Sequence, residues 1–323
     1  MTTTAAEREQ ALRETEHWFR RHGLPYFVAS EQEGVRRGLA RGRLLPVLGT
    51  ALLVGAAVGV LLGLLLTSLS GGLSLGLVAA GAVLAFYAGT TLRVRVIARW
   101  AVGRTLKSLG MMFPLVTRAL PLLLLFVTFL FINTEVWMVA NSLQPGVLAL
   151  AVLLFAAMAV AFLLVRLPEE MDRVDDDVDP VRLARRCEGT PVASHAAQVF
   201  AETGDLETVV EVTGLQKWNL VLVLLIAQFL QVVLLSVAVL VFFLLFGSVV
   251  MQQEVVNSWL GTKGTPVIEP LVKVSIFLAG FSGLYFTVYA VTDDTYRQQF
   301  FTSVTRELER AVAVRAVYRS LRR

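Results

Sequence analysis

Over 323 residues, 56% of the side chains are hydrophobic, the mean hydropathy is +0.67 and the formal net charge is +4. Several apolar runs exceed the ~18 residues that a bilayer crossing needs, more than a water-soluble core of this size can hide, so a soluble globular domain is excluded. A lone cysteine, Cys187, rules out an intrachain disulfide framework, and 25 arginines against four lysines make the placement of charge more informative than its sum.

The first 44 residues are polar. Thr4 with Glu7 reads as a capping box, Arg20 and Arg21 close the helix, and Gly23 and Pro25 stop it. The stretch HWFRRHGLPYFV, residues 17–28, therefore ends a cytoplasmic helix and offers aromatic rings suited to a belt at the membrane–water boundary. Two histidines without a third ligand make a poor metal site. Acids shared along the same helix argue against nucleic acid.

Six spans follow, at Leu45–Leu69, Leu73–Leu92, Met111–Ile132, Val147–Leu167, Trp218–Val250 and Leu271–Val291. On the first, Gly55, Gly59 and Gly63 make two overlapping GxxxG units. On the second, Gly81, Ala85 and Gly89 repeat small residues every four positions, so the two helices are expected to pack through these faces. Nothing breaks the second helix before Gly103. Its continuation into a cytoplasmic connection at 93–118 presents Arg93, Arg95, Arg99 and Arg104 as candidate contacts for anionic lipid headgroups. The centres of the spans carry no ionisable side chain, which weighs against a proton-coupled carrier. Glu135 and Lys273 lie near one external side, within reach of an ion pair. Gln228 and Gln231, three apart near the middle of the fifth span, are candidate pore-lining or interhelical polar groups.

The connection at 168–217 is too short for a sizeable enzyme domain. Its DDDVDP run fails as a calcium loop, because Pro180 takes the turn-glycine position and Arg186 the closing acid. Asp179 is better placed as a helix cap with Pro180 in the first turn, a design repeated from Thr190 in TPVASHAAQVFAETG. The last segment, 293–323, reads as an amphipathic helix. Phe300, Val304, Leu308, Ala311, Val314, Tyr318 and Leu321 recur at spacings of three and four along one face.

Charge orients the spans. The amino-terminal tail carries eight basic residues, the connections at 93–118 and 166–217 six each, and the carboxy-terminal tail seven, which makes 27 of 29. The positive-inside rule then puts both termini in the cytoplasm. Three domains result: a cytoplasmic amino-terminal helix with an interfacial segment at 1–44, a six-helix membrane domain at 45–292 and a cytoplasmic amphipathic helix at 293–323.

HWFRRHGLPYFV, together with DDTYRQQFF at 293–301 and AVAVRAVYRSL near the end, resembles segments of an uncharacterised family of multi-spanning integral membrane proteins of high-GC Gram-positive bacteria. The resemblance covers about forty residues at the two ends of the chain and implies a bacterial plasma-membrane location, with no reaction or ligand attached. No P-loop, GxSxG, HExxH, CxxC or dinucleotide fingerprint occurs in the polar segments, so no enzyme, cofactor or metal is expected. Two function classes stand. The leading one is an oligomeric channel-like or transport-subunit protein for ions or small solutes, with copies arranged around a path lined by the fifth span. The alternative is a non-catalytic membrane scaffold that recruits cytoplasmic or membrane partners through its terminal helix. Expected partners are the bilayer, including anionic lipids, and further copies of the chain.

Overall fold

The computed structural model describes residues 5–175, 179–202, 211–262, 266–292 and 309–322, which are helix and connecting turns with no strand among them. This is an all-α polytopic membrane protein. Helices α1 (Ala5–Arg21), α2 (Ala29–Leu39), α3 (Arg41–Leu65), α4 (Leu69–Thr90), α5 (Val94–Phe131), α6 (Thr134–Ser142) and α7 (Pro145–Asp175) come first. They are followed by α8 (Pro180–Arg186), α9 (Ala193–Glu202), α10 (Gly214–Val250), α11 (Gln253–Leu260), α12 (Ile268–Thr292) and a last helix, α13, at 309–322. A 3-10 turn, Pro25–Phe27, sits between α1 and α2.

Among the described residues, five helices are long and apolar enough to cross a membrane: α3, α4, α7 as far as Pro168, α10 and α12. A sixth candidate is a bent pair. Leu123–Phe131 and Thr134–Ser142 pass the same test only as a pair, bent by 74°. The cause is local, because the Asn133 side chain accepts hydrogen bonds from the Glu135 and Val136 amides and so starts a new helix two residues after α5 ends.

Two sequence expectations are corrected at the other end of α5. The second span does not run on past residue 93. It stops at Thr90, and α5 begins afresh behind Arg93, whose φ of 57° is a left-handed conformation. Tertiary contacts hold that kink: the Tyr26 hydroxyl donates to the Leu92 carbonyl at 2.5 Å and Arg93 pairs with Glu31 at 3.0 Å. The segment expected as a connection at 93–118 is helical from Val94 and continuous with the third span. At 38 residues α5 extends roughly 57 Å, well beyond a ~30 Å hydrocarbon core, so it projects from the bundle. The 37-residue α10 does the same.

Within the bundle, α12 is central, packed against α7, α10, α5 and α6, while α3 leans outward on α4. The α3–α4 hairpin is joined through backbone. A Cβ on Gly55 would meet the Gly76 carbonyl and Ala80 Cβ at 2.9 Å, and one on Gly59 would meet the Gly72 carbonyl at 3.2 Å. A Cβ on Gly72 would collide with the Gly59 carbonyl and reach Gly63 Cα at 2.6 Å. The α4 face in contact is thus Gly72, Gly76 and Ala80. Gly81, Ala85 and Gly89 were expected there and are not: Gly81 has nothing within 4 Å and Gly89 only Arg95 Cβ at 3.8 Å, while Ala85 lies on their side of α4, away from the seam.

At the far end, α6 and α11 close over the bundle. Trp137 is fully buried, its indole N–H donates to the Phe131 carbonyl at 2.6 Å, and Phe131 stacks on Phe243 at 4.7 Å. Lys273 pairs with Glu269 at 3.1 Å and reaches the Asn141 carbonyl at 3.3 Å, partners one turn away and across the bend, rather than Glu135. At the opposite end α1, the 3-10 turn, α2, α8, α9 and α13 form a head around the projecting feet of α5 and α10. One continuous apolar core runs from the head into the bundle.

Candidate functional site

The head is knit together by the aromatic stretch at 17–28. Phe19, Tyr26, Phe27 and Val28 are buried, and Phe19 meets Phe27 at 5.3 Å and Tyr318 of α13 edge-on at 5.7 Å. The expected interfacial belt is therefore a protein core, because α13 and the foot of α10 cover the rings that would otherwise face lipid. Asn219, completely buried one turn into α10, accepts from the Tyr26 amide at 2.9 Å and donates to the Gly23 carbonyl at 2.8 Å. Those two backbone groups have no helical partner in so tight a turn, and the carboxamide supplies a donor and an acceptor at once. Glu31 bridges the same region, 3.0 Å from Arg93 and 3.6 Å from Arg20. His22 stacks on Trp18 at 4.0 Å, as a packed ring would.

Helix α13 is enclosed through its central two turns. Every residue from Ala311 to Tyr318 is buried, Arg315 included, so the expected amphipathic stripe packs within its own chain and its other faces are covered too; Phe300, Val304 and Leu308 of that stripe lie outside the described residues. Polar contacts fix it on every side. Tyr318 donates to Glu16 at 2.8 Å, Arg310 to the Glu188 carbonyl at 2.9 Å, and Arg186 pairs with Glu309 at 2.6 Å. Burial first, then the Glu16 carboxylate, pushes the Tyr318 hydroxyl up to about 12. Burial alone does the same to Tyr26. Asp179 caps α8 through the Val181 amide at 3.1 Å with Pro180 in the first turn. The design is not repeated in α9, because the Thr190 hydroxyl turns back to the Cys187 carbonyl at 2.5 Å. Cys187 is buried beneath, and desolvation raises its thiol to about 12 against the lowering effect of Arg310.

A pocket of about 580 Å³ opens where the head meets the bundle. Its wall comes from three distant segments: Arg36 in the last turn of α2, Thr213 to Gln216 at the start of α10, and Arg315, Arg319 and Arg322 of α13. Phe27 and Tyr318 form an apolar floor. Four arginines therefore face one volume, and among the described residues its lining contains no carboxylate; the Glu16 carboxylate lies behind the Tyr318 hydroxyl. Arg315 is held in place, donating to the Gln216 side chain at 2.5 Å and to the Glu211 carbonyl at 2.9 Å. Arg36 and Arg319 are exposed. Thr213 gives the first turn of α10 no side-chain cap, so the positive end of a 37-residue helix points at the same space. Nothing in the sequence marks these arginines as a group. Arg36 and Arg322 are 286 positions apart, and only the docking of α13 brings them together.

The other candidates fall differently. Gln228 is 0% and Gln231 5% exposed, enclosed by helices of their own chain, so they cannot line a path between copies. Among the described residues, both amide atoms of Gln228 and the carbonyl oxygen of Gln231 have no hydrogen-bond partner, so no direct bond to a described helix is made through them. Of the arginines expected at lipid headgroups, Arg93 is engaged by Glu31, while Arg95, Arg99 and Arg104 are exposed along α5. Comparison with protein-family models, curated proteins and solved structures returns no match.

Proposed function

We propose that the protein is a non-catalytic membrane scaffold of the receptor type, whose bundle anchors a cytoplasmic head that holds an anionic ligand. The observation that carries this reading is the convergence of Arg36, Arg315, Arg319 and Arg322 on one pocket, with no carboxylate among the described residues of its lining. Like charges brought together cost stability, and an entering anion offsets that cost. The pocket volume falls within the ~300–1,000 Å³ typical of small-molecule sites. The arginine count at the head end supports a cytoplasmic orientation through the positive-inside rule.

The test is the unfolding midpoint of the protein in detergent micelles, measured with citrate, sulfate and phosphate at constant ionic strength. Binding to the folded state raises the midpoint by mass action. The increase should shrink in Arg36→Gln and Arg319→Gln and persist in Arg37→Gln, whose guanidinium pairs with Glu33 on the neighbouring turn. An identical midpoint in every anion would reject the reading.

One observation favours a second reading, transport through the bundle: the Gln228 amide in the middle of a membrane helix, without a partner among the described residues. A path there would run within one chain. Loss of solute flux from reconstituted vesicles on Gln228→Leu, with folding intact, would establish it. Flux equal to that of protein-free vesicles would exclude it.

A further inference from the structure

Resting on the anion-receptor reading, we infer that the pocket is built for a phosphomonoester, held between α2 and α13 at the head end of the bundle. The disposition of donors selects this chemistry. The arginines approach from two separate helices, α2 and α13, and the uncapped first turn of α10 adds backbone amides from a third direction. A phosphomonoester carries about −1.5 to −2 charges and three acceptor oxygens at neutral pH, which matches several donors arriving at once. A carboxylate or a phosphodiester brings one charge. A monatomic ion would leave most of a 580 Å³ volume empty.

The position fits the same conclusion. Arg36 lies five residues before α3 begins and eight before its apolar run at Leu44, and Gly214 begins the longest apolar helix of the bundle, so the pocket stands at the boundary between membrane and cytoplasm. A phosphomonoester reaches that depth on a lipid headgroup or on a soluble molecule. The floor of Phe27 and Tyr318 offers an apolar surface to the carbon skeleton of either. Since Arg315, Arg319 and Arg322 all belong to α13, the ligand ties the end of the chain to α2 and to the foot of α10. Its presence is then read out as protection of α13.

The experiment uses the full chain in nanodiscs. One arm titrates soluble glycerol 3-phosphate against glycerol 3-sulfate in phosphatidylcholine discs. The other compares discs containing phosphatidic acid, a phosphomonoester, with discs containing phosphatidylglycerol, a phosphodiester. Binding is followed by hydrogen exchange of residues 309–322. Phosphomonoesters should slow exchange there and bind about tenfold tighter than their singly charged counterparts. Arg36→Gln or Arg319→Gln should each lose about tenfold, and Arg37→Gln nothing. The arm that responds identifies the source, lipid or soluble. Equal response to singly and doubly charged probes overturns the phosphomonoester assignment and leaves the anion receptor standing. No response from either arm, with the micelle midpoints also independent of anion, overturns both.

Discussion

At the residue scale, the buried amides make opposite contributions. Asn219 satisfies two backbone groups of a turn almost 200 residues away, and both of its bonds are enclosed. Asn219→Ala should destabilise the protein by about 2–4 kcal/mol, since it strands the Tyr26 N–H and the Gly23 carbonyl in the core. Chemical unfolding in micelles measures this, and a change below about 0.5 kcal/mol would show that the turn finds other partners. Gln228 forms no bond with either end of its amide among the described residues. Gln228→Leu should therefore leave stability unchanged or raise it by about 1–2 kcal/mol, because the cost of an unpaired buried amide disappears. Clear destabilisation would mean that the amide has a partner in the folded protein. Gln228 was visible in the sequence as a polar interruption of an apolar run; that it faces inward, away from neighbouring copies, was not. Asn219 gave no signal, because one asparagine at a helix start says nothing about a turn at residue 23.

Among the elements, the α3–α4 hairpin shows how a correct pattern was assigned to the wrong register. Small residues recur every four positions along both halves of α4, so composition alone does not choose between Gly72, Gly76 and Ala80 and the Gly81 row. The turn does choose. Thr67 sits at its tip with φ 48°, and reflecting 55, 59 and 63 through it gives about 79, 75 and 71, the face found in contact. Gly76→Ala places a methyl 3.1 Å from Gly59 Cα and 2.6 Å from the Gly55 carbonyl, and backbone cannot move aside as a flexible side chain does. The hairpin should open, with stability falling by about 1–3 kcal/mol. Gly81→Ala meets nothing and should be neutral or slightly stabilising through helix propensity. Chemical unfolding of the two variants in micelles reads the difference: equal midpoints for Gly76→Ala and Gly81→Ala would show that the seam tolerates the methyl. Helix α13 taught the complementary lesson. Its periodic stripe correctly marked Ala311, Val314 and Tyr318 as inward, but periodicity describes one face and α13 is covered on all of them.

For the whole molecule, the spans were legible because lipid imposes a simple rule on length and polarity, whereas the head was not, because its contacts join the first 40 residues to the last 15. That construction has a consequence in pH. Tyr26 and Tyr318, both buried in the head, are raised from 10.0 to about 12, chiefly by burial. A group that holds its proton more tightly when folded contributes stability that is complete below its unfolded value and is lost as pH climbs towards its folded one. The unfolding midpoint should therefore be flat through neutral pH and fall between about pH 10 and 12, the window set by the two hydroxyls. Cys187, raised from 9.0 to about 12, extends the decline to lower pH and should resist thiol reagents at neutral pH until the head unfolds. Tyr26→Phe removes one titrating hydroxyl and should flatten the slope, at the expense of the bond to the Leu92 carbonyl that helps to hold the α4–α5 kink. Because the head and the bundle share one core, the alkaline transition should appear together in α13 exchange and in the unfolding of the spans. A head that melted alone, with the bundle untouched above pH 11, would separate the two parts and deny the pocket any grip on the membrane helices.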